Sequence, residues 1–300
     1  MTEWSFEDVP NQTGRLAIVT GSNSGIGFEA ARMLALRGAH VVLACRNMEK
    51  GRAALERISR ERADAKLQLC LLDLSDLRSV SRFAEQFRAG SQRLDLLINN
   101  AGVMNTPLSR TAQGFELQFG TNHLSHFALV AQLWPLLART TGARVVVISS
   151  ATAHSGRIDF DDPNFERRRY QGWVAYAQSK LANSLFALEL ARRAAQASSS
   201  VIVCAAHPGW TATDLPRGTP FIRFVNPLLA MPAAKGALTT LRAAVDPRAA
   251  NGSYWGPGRA FELIGPPKPA RIPRRARDPL TAQRLWALSE QLTGVRFELS

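Results

Sequence analysis

Tyr176 and Lys180, in the run Tyr176-Ala177-Gln178-Ser179-Lys180, lie one helical turn apart and so project from one helix face. A tyrosine exchanges protons usefully only if its pKa falls from ~10 toward neutrality, about three units or ~4 kcal/mol. An ammonium group one turn away favours that change. A second chemistry is written nearer the start, where Thr20-Gly21-Ser22-Asn23-Ser24-Gly25-Ile26-Gly27 separates an apolar run from a helix-period stretch. Glycines permit a tight turn there, and backbone N–H groups at the helix N-terminus can approach a pyrophosphate. A third signal lies at Val41–Asn47, the strand end beside which an adenosine ribose would sit. An Asp or Glu at that end holds both ribose hydroxyls and repels a 2′-phosphate. Here the position is Cys45, uncharged and small, and the Arg46 guanidinium after it can grip a phosphate and stack on adenine. Arginine is plentiful in this chain, so the missing acid is the stronger half of the argument. Together they predict NADP(H) in preference to NAD(H).

The elements that must position these groups alternate. Apolar runs at Leu16–Thr20, Val41–Cys45, Leu67–Leu72, Leu94–Asn99, Arg144–Ser149 and Val201–Ala205 predict six strands. Helix-period stretches separate them, reaching about Arg37, Arg62 and Arg88, with Ser75 as the cap of the third, and one starts near Trp173. Near-continuous apolar strands alternating with helices indicate an α/β fold, a doubly wound parallel sheet of Rossmann type with helices on both faces. No repeat or low-complexity linker divides the chain, so residues 1–300 form one domain. Its core covers about 14–245, and a C-terminal extension about 246–300. Residues 265–279, GPPKPARIPRRARDP, predict an irregular surface segment, and 280–293 a further helix.

Composition narrows the function. The 300 residues are 46% hydrophobic and 20% charged, which is globular and excludes a disordered or collagen-like chain. Three scattered cysteines, Cys45, Cys70 and Cys204, offer neither a disulfide framework nor zinc-ligand spacing, so no metal is expected and a reducing cytoplasm fits. No apolar run reaches ~18 residues, and MTEWSFEDVP carries no signal-peptide pattern. The balance of 37 basic to 24 acidic residues raises nucleic acid as a partner. The arginines are spread out, clustering only at Arg167–Arg169 and Arg271–Arg277 without a recognition motif, so no nucleic-acid partner is expected. A weak peripheral contact with an anionic membrane stays open.

Further residues fall in a familiar order. The glycine turn resembles the TGxxxGIG signature of the short-chain dehydrogenase/reductase family, and Tyr176 to Lys180 is its YxxxK motif. Asn99-Asn100-Ala101-Gly102 matches its NNAG motif, and Ser149-Ser150 end strand five. Taken singly, each has a bland reading: Asn122 could bond helix backbone, and serines often end strands. Taken in family order from about Gly14 to Val245, the functional reading prevails. VVLACRN, TNHLSHF, YAQSKLAN and HPGWTAT most resemble the retinol-dehydrogenase-like and protochlorophyllide-reductase-like branch.

The resemblance implies catalytic roles for Asn122, Ser150, Tyr176 and Lys180. Asn122 would organise a water relaying protons to Lys180. Ser150, the second serine of its pair, would hold the substrate oxygen, and Lys180 would also bond the nicotinamide ribose. Cofactor contacts would come from Gly21, Ser22, Asn23, Ser24, Gly25, Ile26, Gly27, Arg46, Asp73 (at the adenine), Leu74, Asn100, Ala101, Gly102, Tyr176, Lys180, Pro208, Gly209, Thr211 and Thr213. The implied activity is interconversion of a carbonyl and an alcohol. One departure is the long interval from Ser150 to Tyr176, which predicts an extra loop, residues 153–173, over the site mouth. Residues 215–232, within a lid of about 210–235, carry Phe221, Ile222, Phe224, Val225, Leu228 and Leu229 and suggest a lipophilic aldehyde or ketone. An ordinary helix packing on the core is an equal reading of that stretch. A cofactor-binding regulator with little turnover is the alternative, and oligomeric state is undetermined.

Overall fold

The computed structural model describes residues 3–211 and 230–299. Thr213 and most of the expected lid lie outside the described residues.

The six expected strands form at β1 (Leu16–Thr20), β2 (His40–Cys45), β3 (Leu67–Leu71), β4 (Leu96–Asn99), β5 (Arg144–Ile148) and β6 (Ile202–Ala206). Two more, β7 (Tyr254–Arg259) and β8 (Ile264–Pro269), complete one sheet in the order β3-β2-β1-β4-β5-β6-β7-β8. Strands β1 to β7 are parallel, and β8 returns antiparallel on the edge, pairing Trp255 with Pro269 and Gly256 with Lys268. This corrects the irregular segment expected at 265–279. Prolines cannot donate to a ladder, so a proline-rich strand is tolerated at an edge.

The helices are α1 (Gly25–Leu36), α2 (Met48–Glu61), α3 (Leu77–Gly90), α4 (Leu117–Phe119), α5 (Ser125–Arg139), α6 (Gly172–Gln196), α7 (Ala233–Val245) and α8 (Pro279–Thr293). Asp76, not Ser75, caps α3, its carboxylate accepting Arg78 N–H at 3.0 Å, while Ser75 is held by Asp73. Between α4 and α5 the chain takes a π-helical turn, Gly120–Leu124.

Alternate strand residues feed two cores. Ile18, Val42, Leu97, Val145 and Val203 face α3, α5 and α6. Val19, Val41, Leu43, Ile98 and Val146 face α1, α2 and α7. Burial on both faces explains why these strands read as unbroken apolar runs. The C-terminal extension closes the first core, where Trp286 of α8 stacks on Phe297 at 4.9 Å between centroids, and both meet Phe127 of α5 edge-on. No described helix is long and apolar enough to cross a membrane.

Candidate active site

Strand order reverses between β1 and β4, and a ligand crevice belongs at the carboxyl ends of the strands at such a switch point. There a cavity of about 540 Å³ opens, walled by the segments that follow β1 through β6. Its size suits a small-molecule site.

At the β1 end, Gly21 (φ 66°) and Gly25 (φ 57°) adopt the left-handed conformation that glycine takes without strain. Gly27 answers a different demand: a Cβ there would stand 2.3 Å from Asn100 Nδ2 and 2.4 Å from Gly21 O. Asn100 donates its side-chain amide to Thr20 O at 2.9 Å, and the N–H groups of Asn100 and Ala101 both donate to Thr20 Oγ1 at 3.0 Å. The turn and the NNAG loop are thus one rigid cradle. Asn23, Ser24 and Ile26 line it with the glycines, as do Asn100, Ala101 and Gly102. Ser22 does not: it is fully buried, its Oγ 3.5 Å from Cys45 Sγ.

At the β2 end the expectation for Cys45 needs correcting. Side chains alternate along a strand. Ala44 and Arg46 therefore face the cavity, while Cys45 is buried on the other face beside Ser22. The absence of a carboxylate still holds, because Ala44 carries none. Arg46 is exposed and has no ion pair or hydrogen bond to any described residue. Asp73 and Leu74 line the next corner, and Asp73 Oδ1 accepts from Ser75 N and Oγ at 2.9 and 2.6 Å.

Helix α6 carries Tyr176 and Lys180 into the far wall. Lys180 Nζ donates to Ile148 O at 3.0 Å and lies 5.8 Å from the Tyr176 ring centre. Burial pushes the phenol up to about 12, the neighbouring Ser150 hydroxyl pulling the other way. Burial likewise pushes the lysine down to about 8. The expected fall of the tyrosine toward neutrality is therefore not produced by the chain alone, because both groups share a dry wall that penalises both charged forms. What the chain holds ready is a protonated phenol beside a lysine that is still cationic at pH 7.

Both serines border the cavity, and their hydrogen bonds tell them apart. Ser150 lines the cavity beside Tyr176, and its Oγ accepts from Thr152 N at 3.2 Å. Ser149 Oγ donates to Lys180 O at 2.8 Å, and it lies 2.8 Å from Ser184 Oγ, fastening β5 to α6. Asn122 is fully buried behind the wall. Its Oδ1 accepts Val103 N–H at 2.8 Å, and its Nδ2 donates to Val103 O and Ser179 Oγ, both at 2.9 Å. Its amide thus positions the strip Gly102–Val103, and a Cβ on Gly102 would stand 3.1 Å from Asn122 Oδ1.

Pro208, Gly209 and Thr211 line the cavity after β6. The Thr211 hydroxyl donates to Pro208 O at 2.9 Å, which braces the turn. Gly209 (φ 70°) admits no side chain, since a Cβ would lie 2.3 Å from Leu263 O.

Several wall residues escaped sequence reasoning. Met104, Leu117 and Leu263 give the cavity apolar lining together with Trp210 of the HPGWTAT run, and Leu263 arrives from the β7–β8 turn, far outside any motif. Trp173 lies in the inserted segment and stands edge-on to Tyr176, with ring centres 6.1 Å apart. The remainder of that segment is anchored beside the mouth, where Tyr170 Oη donates to Thr106 O at 3.0 Å and accepts from Gln118 Nε2 at 2.9 Å.

Known proteins share this plan. A family model described as short chain dehydrogenase matches residues 15–219. Human retinol dehydrogenase 12 is 41% identical over 289 residues, covering 95% of this chain and 88% of its own. The crystal structure of an uncharacterized protein from Mycobacterium paratuberculosis is 43% identical with a TM-score of 0.85, covering 99% of this chain and 100% of its own. A short chain dehydrogenase from Shigella flexneri, crystallised with NADP, is 26% identical with a TM-score of 0.65, over 82% of this chain and 98% of its own. Fold, motif order and these relatives agree: the chain belongs to the short-chain dehydrogenase/reductase family, in its retinol-dehydrogenase-like branch.

Proposed function

We propose that this oxidoreductase interconverts a carbonyl and an alcohol with NADP(H), acting on lipophilic aldehydes or ketones. The observation that carries the reading is the placement of the Tyr176 phenol, with Ser150 beside it and Lys180 one turn on, in the wall of the switch-point cavity.

The residues present fit a dinucleotide. The glycine cradle leaves no room for a Cβ at Gly27, Arg46 is free of described partners at the ribose corner, and Lys180 supplies a cation at the opposite end. When bound, the nicotinamide supplies or accepts hydride. The chain then has two tasks, to hold the substrate oxygen and to move one proton. Ser150 Oγ and Tyr176 Oη would hold the oxygen, and the phenol, kept protonated, would donate to it as charge develops in the reducing direction. Lys180 would bond the cofactor ribose and favour the tyrosinate left behind.

Met104, Leu117, Trp173, Trp210 and Leu263 make the substrate end apolar, which favours lipophilic carbonyls. The relatives named retinol dehydrogenases support the same class. A panel of carbonyls with NADPH tests this. Long-chain or aromatic aldehydes are expected to turn over, and efficient reduction of hydrophilic sugars with no activity on apolar carbonyls would overturn it.

Two variants probe the assignment. Ser150→Ala is expected to lower turnover by about tenfold or more, by removing a hydrogen bond to the reacting oxygen. Ser149→Ala is expected to act mainly on stability, at about 1 kcal/mol, because its hydroxyl ties β5 to α6. The reverse ranking in a kinetic and melting comparison would mean the wrong hydroxyl was assigned. Arg46→Leu is expected to weaken NADPH binding about tenfold or more and leave NADH nearly unchanged, since only the 2′-phosphate needs the guanidinium. Wild-type protein that binds NADH as tightly as NADPH in a direct titration would refute the preference.

A further inference from the structure

His126, on the first turn of α5 and within the run TNHLSHF, is fully buried and has no role in the site described above. Both ring nitrogens have partners. Nδ1 lies 3.0 Å from the main-chain oxygen of Asn122, and Nε2 lies 3.0 Å from Thr20 Oγ1. A carbonyl oxygen only accepts, so Nδ1 carries the proton. Burial, followed by the pull of the Asn122 carbonyl in the other direction and the nearby charge of Lys180, puts the imidazole down to about 4. It is therefore neutral at pH 7, and Nε2 is an acceptor. The Thr20 hydroxyl then donates to Nε2 at 3.0 Å, in preference to Ile98 O at 3.4 Å. That leaves its two lone pairs for the N–H groups of Asn100 and Ala101, which both donate to it at 3.0 Å. Only with the hydroxyl turned to Nε2 do both ring nitrogens have a partner, since turning it to Ile98 O would leave Nε2 bare.

The π-helical turn makes the contact possible. Ser125 N–H bonds back five residues to Gly120 O, so the backbone ladder is displaced through Asn122. The His126 side chain, four residues on, reaches the Asn122 carbonyl. On one side the set joins the last residue of β1 and the cofactor cradle. On the other side Asn122 grips Val103 and Ser179, and Ser179 Oγ donates to Tyr176 O at 2.8 Å.

We propose that His126 is a positioning residue for hydride transfer: its neutral Nδ1–H form locks Thr20 to the Asn122 carbonyl and so fixes the phosphate turn in register with the helix bearing Tyr176 and Lys180. The role rests on the proposed function for its link to turnover, but its effect on cofactor binding does not. A change of register moves the cradle relative to the catalytic helix, so both NADPH affinity and turnover depend on the imidazole.

The test uses the full chain. A long-range proton–nitrogen NMR spectrum of the imidazoles is expected to show His126 protonated at Nδ1 and bare at Nε2 at pH 7. His126→Phe keeps a ring of similar shape, removes the nearer acceptor of the Thr20 hydroxyl, leaving it the longer contact to Ile98 O at 3.4 Å, and takes the donor from the Asn122 carbonyl. NADPH titration of the folded variant is expected to show binding weaker by about tenfold, the scale of an unmatched buried polar group. Thr20→Val is expected to weaken binding similarly, and Thr20→Ser to restore it. Combining His126→Phe with Thr20→Val puts two apolar groups face to face, and the pair is expected to be less damaging than the product of the single effects. Should His126→Phe fail to fold, the NMR spectrum and the two Thr20 variants decide alone. A His126 protonated at Nε2, or a Thr20→Val protein with wild-type NADPH affinity, overturns the proposal. A wild-type protein that binds NADPH but reduces no carbonyl would sink the proposed activity and leave these binding and NMR readouts valid.

Discussion

Tyr176→Phe is expected to lower turnover by at least about 100-fold, the scale of general acid–base catalysis, with NADPH affinity and melting temperature near wild type. The substitution removes one oxygen. The ring stays packed edge-on against Trp173, and no described backbone group depends on the phenol. Because burial keeps the phenol protonated, the wild-type group is ready to donate in the reducing direction, and Phe has nothing to donate. Steady-state rates beside a cofactor titration check it. A variant within a few-fold of wild type in turnover would mean that the proton comes from elsewhere.

Lys180→Met is expected to cost turnover at least about 100-fold and to weaken NADPH binding as well, since one ammonium serves both tyrosine and ribose. The fold should tolerate the change. Ile148 O, which accepts Lys180 Nζ, also accepts Asn183 Nδ2 at 2.9 Å and is not left unpaired. A pH series adds a signature. With its pKa pushed down to about 8 by burial, Lys180 loses its charge as pH rises through that value. NADPH affinity of the wild type should therefore decline between pH 7 and 9, and that of Lys180→Met should stay flat. Lys180 itself does not destabilise the fold over this range, and a melting series on the same samples separates unfolding from lost affinity. The folded chain releases the Lys180 proton at lower pH than the unfolded chain does, so this group makes stability rise with pH above about 8. A flat wild-type profile would remove Lys180 from the ribose.

Parts of this architecture are legible in the sequence because one physical rule dominates them. Six parallel strands buried on both faces read as apolar runs, and the glycine turn is dictated by left-handed backbone and a missing Cβ. Strands β7 and β8, YWGPGR and IGPPKP, are hidden because glycine and proline contradict strand propensity. β8 is permitted by its place at the sheet edge, and Pro257 of the interior strand β7 lies beyond Tyr254 and Trp255, the residues that pair with β6, beside a register shift. The phase of β2 is hidden too. Apolar residues on both faces do not say whether Ala44 or Cys45 meets the ribose, and the structure assigns that face to Ala44. Leu263 reaches the cavity through long-range packing that no local pattern records. His126, three residues from His123 in a buried apolar stretch, reads as core, and its contact with Thr20, 106 residues earlier, leaves no local signal.

The most direct test of the central claim follows one hydrogen atom. NADPH deuterated at the transferring C4 position is incubated with the wild-type protein and a long-chain aldehyde, and the alcohol is analysed by mass spectrometry. The expected product carries one deuterium on the former carbonyl carbon, and Tyr176→Phe forms it at least about 100-fold more slowly. Tight NADPH binding with no labelled alcohol from any carbonyl in a broad panel would contradict the account and leave a cofactor-binding protein without this turnover.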